Sequence, residues 1–272
     1  MITFKFIGIL AIILFTYKSN AQNGIELGAR PLGMGNTNSA LVGNWSAFNN
    51  PSGLSVVKET TALISVQNQY GIQELSSIGA GAVVPLKLGT ASFTVLRFGD
   101  DLYHQQNISL SYANEFGIGQ LGVRLNYFET AIQDFGSQSV FTVDFGGTVR
   151  LSDEFLLGAF IRNVNRAKLS DLEDERLPTI LNVGVSYREN DKLILNADVE
   201  KDIEYDPRFK LGIEYVFLPK FSFRTGINTA PFVNFFGLGL KTWKVEIDYA
   251  IRIDYVLGNT HQLALNYVLS KK

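Results

Sequence analysis

Apolar and polar positions alternate along most of this chain, from about residue 60 onward. In the stretch "ILNVGVSYR", Leu181, Val183 and Val185 fall on one face, and the positions between them are polar or glycine. The stretches "LGVRLNY" and "KVEIDYAIRIDY" repeat the pattern. An alternation with period two is typical of a β-strand with one apolar face.

Candidate strands of this kind recur at short intervals. They lie near 61–69, 77–84, 88–97, 106–115, 120–129, 139–149, 155–164, 179–188, 192–200, 207–216, 220–228, 232–241, 243–253 and 261–269. The connections between them are mostly short and contain Gly, Asn or Asp, as in β-hairpins. We therefore predict an all-β chain whose roughly 14 strands form a single antiparallel meander.

The apolar face of the strands favours one of two architectures. A soluble sandwich would bury this face against a second sheet, whereas a membrane barrel would turn it toward lipid. Aromatic side chains lie on this face, often at strand ends: Phe93, Tyr112, Tyr127, Tyr187, Phe209, Tyr215, Phe221, Tyr249 and Tyr267. Such rings would also pack in a sandwich core, but their position suits the interfacial girdles of an outer-membrane β-barrel. A closed barrel of about 14 strands has a lumen too wide for its own side chains to fill.

The first residues are predicted to form an export signal. An apolar run from Phe6 to Phe15 follows Lys5 and is too short to span a membrane. Small residues precede a predicted cleavage after Ala21; a retained anchor is the alternative. We predict a signal peptide over 1–21, an N-terminal hatch or plug over 22–58 and a barrel over 59–272.

Composition excludes several kinds of protein. The formal net charge is −2, and the predicted cleavage removes two lysines and no acid, so the mature chain is slightly acidic. No nucleic-acid partner is expected from this balance. The chain has no cysteine, which rules out disulfides, a thiolate nucleophile and thiolate metal ligands.

Short motifs that suggest chemistry are weak here. The glycine-rich run at 117–122 precedes an alternating stretch rather than a helix, so we interpret it as a hairpin turn and not as a dinucleotide site. His104 and His261 have no metal-ligand spacing. The acidic run at 170–176 lacks the spacing of a calcium loop and is interpreted as a solvated external loop. We predict no metal, no cofactor and no catalytic residue, with a barrel-embedded Ser/His hydrolase as a remote alternative.

The stretch at 28–55 carries the most specific pattern in the chain. "GARPLGMGN", a run of small residues and "NPSGL" follow one another in order. This stretch resembles the N-terminal signature of FadL-like outer-membrane barrels, including the PorV/PorQ group of type IX secretion. Ser52 stands where that family usually has alanine, and the chain ends in "NYVLSKK" rather than on an aromatic residue. The resemblance implies a fourteen-stranded barrel with the N-terminal segment in or beneath the lumen. The predicted hatch motif is Gly28, Arg30, Gly33, Met34, Gly35, Trp45, Asn50, Pro51, Gly53 and Leu54.

Charged residues of both signs occupy the predicted lumen face. They are Arg124, Arg188, Asp198, Lys210, Glu214, Arg224, Glu246, Asp248 and Arg252. Mixed charges at this density form ion pairs and hold water, which suits a plugged or weakly selective interior.

The resemblance implies a non-enzymatic accessory protein of envelope protein export in the outer membrane of a Gram-negative cell. Its partners would be outer-membrane lipid and a larger secretion translocon. The alternative is a FadL-like channel for small hydrophobic or polar solutes, gated by the N-terminal segment. Conductance separates the two, because a plugged partner barrel is electrically silent.

Overall fold

The computed structural model describes residues 26–169 and 176–271. The predicted signal peptide at 1–21 and most of the acidic run, residues 170–175, lie outside the described residues.

The wall of the molecule is a closed barrel of fourteen strands in sequence order. Each strand pairs antiparallel with its neighbours along the chain, and β14 pairs with β1 to close the sheet. The strands are β1 (Glu59–Asn68), β2 (Ser76–Leu86), β3 (Gly89–Gly99), β4 (Tyr103–Phe116), β5 (Gly119–Ile132), β6 (Gly136–Arg150), β7 (Phe155–Arg162), β8 (Ile180–Glu189), β9 (Leu193–Asp202), β10 (Arg208–Leu218), β11 (Phe221–Thr229), β12 (Phe232–Lys241), β13 (Val245–Asp254) and β14 (Gly258–Lys271). The predicted fourteen-strand antiparallel barrel is confirmed, and the sandwich is excluded.

The outward face of the wall is apolar. Leu181 and Val183 on β8 are 44% and 48% exposed, while their neighbour Asn182 is fully buried on the lumen side. Most of the predicted aromatic side chains lie outward and exposed. Tyr127 and Tyr187 are half-buried because they pack against Phe141 and Phe155, with ring centroids 5.3 and 4.9 Å apart. Among the described residues, no helix is both long and apolar enough to cross a membrane.

The two ends of the barrel differ in their connections. One end, here called the short-turn end, has turns of two to four residues, such as 87–88, 117–118 and 219–220. The start of β1 and the end of β14 also lie there. The opposite end, the long-loop end, has the connections 69–75 and 163–179.

The N-terminal segment, residues 26–58, occupies the lumen. It contains one short helix, α1 (Ala29–Gly33), and the 3₁₀ helices Asn44–Ala47 and Pro51–Val56; a third 3₁₀ helix, Gln73–Leu75, lies in a loop. The segment begins near the long-loop end, where Glu26 pairs with Arg162 at the end of β7. It then reaches β1 at the short-turn end. The small apolar core forms where Leu32, Trp45 and Leu54 of this segment meet the inner wall.

Candidate functional site

Inward-facing glycines on the wall receive the N-terminal segment. A Cβ on any of these glycines would touch the segment: Gly79, Gly122, Gly146, Gly158, Gly212, Gly226 and Gly237. At Gly122, Gly158 and Gly226 the obstructing atoms are backbone atoms of the segment, which no side-chain rotation can remove. A glycine within a strand often marks such a close backbone approach.

The N-terminal segment also has glycines where its backbone passes close to the wall. A Cβ on Gly33 would lie 3.0 Å from the Cα of Gly237 on β12. Gly35 has a φ of 69° and passes the backbone carbonyl of Leu211 on β10. Met34 lies between the two glycines and is fully buried. Gly28, just before α1, has a φ of 118°, which a side chain would strain.

Arg30 of α1 joins the segment to the wall through an ion pair. Its Nε and Nη2 each donate to Glu214 on β10 at 2.8 Å, one to each carboxylate oxygen. Burial by itself lowers the pKa of Arg30, but the Glu214 carboxylate outweighs this effect and raises the pKa above its ordinary value. Arg30 therefore remains a cation at neutral pH.

Arg224 on β11 extends this pair into a cluster. Its Nε donates to Glu214 at 2.5 Å, and its Nη1 donates to Asp248 on β13 at 2.6 Å. Arg224 reaches Asp248 across β12 because Gly239 leaves space; a Cβ there would touch both side chains. We call Arg30, Glu214, Arg224 and Asp248 the central ion cluster.

Asp198 on β9 forms a second attachment of the segment. Its Oδ2 accepts from the backbone N of Ser39 at 2.8 Å and from the Ser39 Oγ at 2.7 Å. Nearby, Asn196 Nδ2 donates to the backbone carbonyl of Thr37 at 3.2 Å. Closer to the long-loop end, Lys210 pairs with Glu200 at 2.7 Å.

The "NPSGL" stretch forms a compact turn against β4, β5 and β6. Asn50 Oδ1 accepts from the backbone N of Ser52 at 3.1 Å and from its hydroxyl at 2.8 Å, which caps the 3₁₀ helix that begins at Pro51. Asn50 Nδ2 donates to the Ser39 carbonyl at 2.6 Å. Gly53 packs against Ser46, and Leu54 is fully buried. Ser52 thus takes part in the cap.

The remaining predicted lumen charges differ in their partners. Arg124 pairs with Asp144 at 2.7 Å and donates to the Ala47 carbonyl of the segment at 3.1 Å. Arg252 pairs with Asp254 at 3.1 Å, and Glu246 accepts from Asn266 at 2.9 Å. Arg188 has no side-chain partner among the described residues, and its buried Nε and Nη2 are unsatisfied.

Among the described residues, cavities around the segment include the following three. The short-turn cavity has about 450 Å³ and is lined by Arg30, Pro31 and Trp45 of the segment. The long-loop cavity has about 350 Å³ and is lined by Leu32 and Asn36. α1 and the residues just after it therefore lie between these two cavities. A third, the side cavity, has about 170 Å³ and is partly apolar; its lining includes Phe48, Leu96, Phe128 and Leu177.

The described residues contain no group of three or more His, Cys, Asp or Glu side chains placed to hold a metal ion. His261 lies on the outward side, where its Nδ1 is 2.6 Å from the Tyr249 hydroxyl. The arrangement in the lumen suits the binding of polar groups and water, since charged side chains line these cavities.

Comparisons with known proteins identify the fold. No family model matches the chain, and no curated protein matches its sequence. Solved structures do match. The toluene transporter TodX of Pseudomonas putida has a TM-score of 0.61 at 12% identity, over 89% of this chain and 96% of that one. A FadL homologue of Pseudomonas aeruginosa has a TM-score of 0.63 at 12% identity, over 88% and 98%. The monoaromatic hydrocarbon channel CymD has a TM-score of 0.64 at 11% identity, over 89% and 97%.

These likenesses are to FadL-type outer-membrane barrels, and at such low identity they show the shared fold alone. The PorV/PorQ assignment is not confirmed by them, and the action of residues 22–58 as a hatch stays a prediction.

Proposed function

We propose that this chain is an outer-membrane channel of a Gram-negative cell that passes small solutes and is gated by its N-terminal segment. The observation that carries the proposal is the position of α1, which separates two cavities at opposite ends of one lumen. The apolar outward face and the absence of an unpaired sheet edge are what a lipid environment requires of a barrel.

The difference between the two ends supports an orientation. Outer-membrane barrels carry short turns on the periplasmic side and longer loops outside. The short-turn end would then face the periplasm and the loops 69–75 and 163–179 would face the exterior. A solute would enter the long-loop cavity, pass α1 and leave through the short-turn cavity.

The gate would be α1 together with the central ion cluster. Arg30 is the member of this cluster that belongs to the segment, so its pair with Glu214 must loosen if α1 moves away from the wall. The later part of the segment has separate attachments that do not involve Arg30. Asn50 bonds to β6, and Arg124 on β5 bonds to the Ala47 carbonyl. We therefore place the movement in residues 26–39 and the anchor in residues 47–56.

The cavity linings suggest the size and polarity of the solute. Two of the cavities are rich in charged and amide side chains, and the third combines rings with the amides of Gln105 and Asn107. Small polar or amphipathic solutes suit these linings, since a long hydrocarbon would desolvate many of these polar groups.

Solute uptake by liposomes tests the proposal. The mature protein would be reconstituted and swelling measured with uncharged solutes of increasing size, with heat-denatured protein as the control. We expect uptake of solutes that fit cavities of about 350–450 Å³ and none of much larger ones. Vesicles that are impermeable to every solute, with correctly folded protein present, would contradict the proposal.

A further inference from the structure

Charged side chains are distributed unevenly around the short-turn end, counting its turns and the strand residues next to them. One side runs from the β10–β11 turn through β14 and β1 to the β2–β3 turn. Among the described side chains it carries five lysines and two carboxylates: Lys58, Lys87, Lys220, Lys241, Lys244, Glu59 and Glu246. The other side, from β4 to β9, carries three cations and five carboxylates: Arg150, Arg188, Lys192, Glu115, Asp153, Glu154, Glu189 and Asp191. We call the five lysines the basic arc.

The basic arc is continuous because hydrogen bonds between neighbouring strands hold its members side by side. The backbone N of Lys241 donates to the Lys220 carbonyl at 2.8 Å, and the backbone N of Val268 on β14 donates to the Lys244 carbonyl at 2.8 Å. β14 in turn pairs with β1 directly after Lys58. No lysine of the arc has an ion-pair partner among the described residues. Their positive charge therefore remains available to a partner outside the chain.

Exposed apolar side chains stand next to these lysines in two of the turns. Leu88 follows Lys87 and is 77% exposed, and Trp243 precedes Lys244 and is 73% exposed. The Nζ of Lys244 lies 4.7 Å from the centroid of the Trp243 ring, which is a cation–π contact. Tryptophan and lysine side by side suit the boundary between hydrocarbon and lipid headgroups.

Apolar side chains also lie at the tips of turns on the other side of this end. Ile118 in the β4–β5 turn is 71% exposed, and Leu151 in the β6–β7 turn is 60% exposed. A protein docked on the basic arc would cover the apolar tips of one side only. A lipid leaflet surrounds the barrel and would reach the tips on all sides. The distribution of these tips therefore favours lipid as the partner, and the lysines add a charge preference on one side.

We propose that the basic arc binds anionic phospholipid headgroups in the leaflet at the short-turn end. Lysine side chains lie along apolar surface and place their ammonium groups at the level of the lipid phosphates. A lysine near an anionic membrane surface strengthens binding by about fivefold. Zwitterionic headgroups also contain a phosphate, but the excess of positive charge along the arc favours headgroups with a net negative charge.

Fluorescence quenching by brominated lipids tests the proposal, because Trp243 reports on the lipid beside the arc. The protein would be reconstituted in mixtures of phosphatidylglycerol and phosphatidylcholine in which one or the other lipid carries brominated acyl chains. The chain has two tryptophans, and Trp243→Phe supplies the signal of Trp45 for subtraction. Quenching as a function of composition gives the relative association constant of the two lipids at Trp243.

Two double variants are matched, since each removes two positive charges from the short-turn end. Lys58→Gln with Lys244→Gln alters the basic arc, and Arg150→Gln with Lys192→Gln alters exposed cations of the other side. We expect the unaltered protein to prefer phosphatidylglycerol by about fivefold, and 1 M salt should weaken this preference. The arc variant should lose most of the preference and the control variant should keep it. Lys58→Gln alone leaves the Trp243–Lys244 contact in place and should have an intermediate effect.

Three results would overturn the proposal: equal quenching by the two lipids, no quenching of Trp243 by either, or equal losses in the two double variants. Equal quenching would leave an acidic protein surface as the partner of the arc. The electrophoretic shift on heating shows that each variant is folded.

The proposed lipid site is independent of transport, because it lies on the rim and requires only that the wall faces hydrocarbon. If solutes cross vesicles while the two lipids quench equally, only the lipid site fails. If phosphatidylglycerol is preferred but no solute crosses, only the channel function fails.

Discussion

Arg30 and Glu214 are 184 positions apart in sequence and form a two-point ion pair inside the barrel, with both N–O distances at 2.8 Å. One residue belongs to the helix that lies in the lumen and the other to the wall. Glu214 also accepts from Arg224, so this carboxylate keeps one cationic partner when Arg30 moves, a partner that it shares with Asp248. This arrangement allows α1 to be released without an orphaned carboxylate.

Arg30→Met should weaken the seating of α1 while the barrel remains intact. The loss of two charge-assisted hydrogen bonds should cost about 1.5–3 kcal/mol of unfolding free energy, because Glu214 retains Arg224. Equilibrium unfolding in urea from phospholipid vesicles measures the change. The variant should also raise single-channel conductance. An unchanged conductance would mean that Arg30 is not part of the gate.

Gly146 and Gly147 are adjacent on β6 and provide a matched pair of substitutions. A Cβ at Gly146 would meet the Asn50 side chain and Pro51, whereas a Cβ at Gly147 would lie 3.5 Å from Leu121 on the outer face. Gly146→Ala should destabilise the protein by about 1–3 kcal/mol through overpacking. Gly147→Ala should be neutral or slightly stabilising. Similar unfolding curves for both variants would contradict the docking of the segment at β6.

Val183→Arg tests the lipid-facing side of the wall. Val183 lies outward on β8 and is 48% exposed. An arginine there should cost about 2–4 kcal/mol if the position is near the bilayer midplane. Val183→Leu, measured in the same vesicles, should change stability little. Equal stability of the two variants would mean that this face does not meet hydrocarbon.

Alternation in the sequence predicts the barrel wall well because lipid and lumen impose opposite polarity on successive residues. It fails where strands continue beyond the apolar band. The start of β6 shows this: Gly136, Ser137 and Gln138 are exposed and paired with β5, yet the predicted strand begins at 139 because none of them is apolar. β5 likewise continues beyond its predicted end at 129, to Ile132.

The contents of the lumen were harder to predict. The alternation places Arg188, Arg224 and Asp248 on the inner face, but it does not reveal which residues meet across the lumen. The pairing of Arg224 with Asp248 depends on space left by Gly239, a strand away from each. The inward glycines could have been found as glycines at polar-face positions of the alternation. The missing partner of Arg188 had no signal in the sequence.

Deletion of residues 23–50 should leave a folded barrel, since the strand ladder begins at Glu59. It removes α1 and Ser39, so the lumen should open and conductance in planar bilayers should rise well above that of the full mature chain. In the full chain, the 6%-exposed Trp45 should resist chymotrypsin. Rapid cleavage at Trp45 together with unchanged conductance on deletion would contradict a seated segment.

A reversible tether between the segment and the wall tests the central claim most directly. Ser39 Oγ lies 2.7 Å from Asp198 Oδ2, and the chain has no cysteine of its own, so Ser39→Cys with Asp198→Cys introduces a single possible disulfide. Solute uptake by liposomes would be measured with the oxidised pair, after reduction, and with each single variant. Gating by residues 26–39 predicts that oxidation abolishes uptake and that reduction restores it to the level of the single variants. Uptake that is the same in the oxidised and reduced states would contradict the account, because solutes would then cross without movement of the segment.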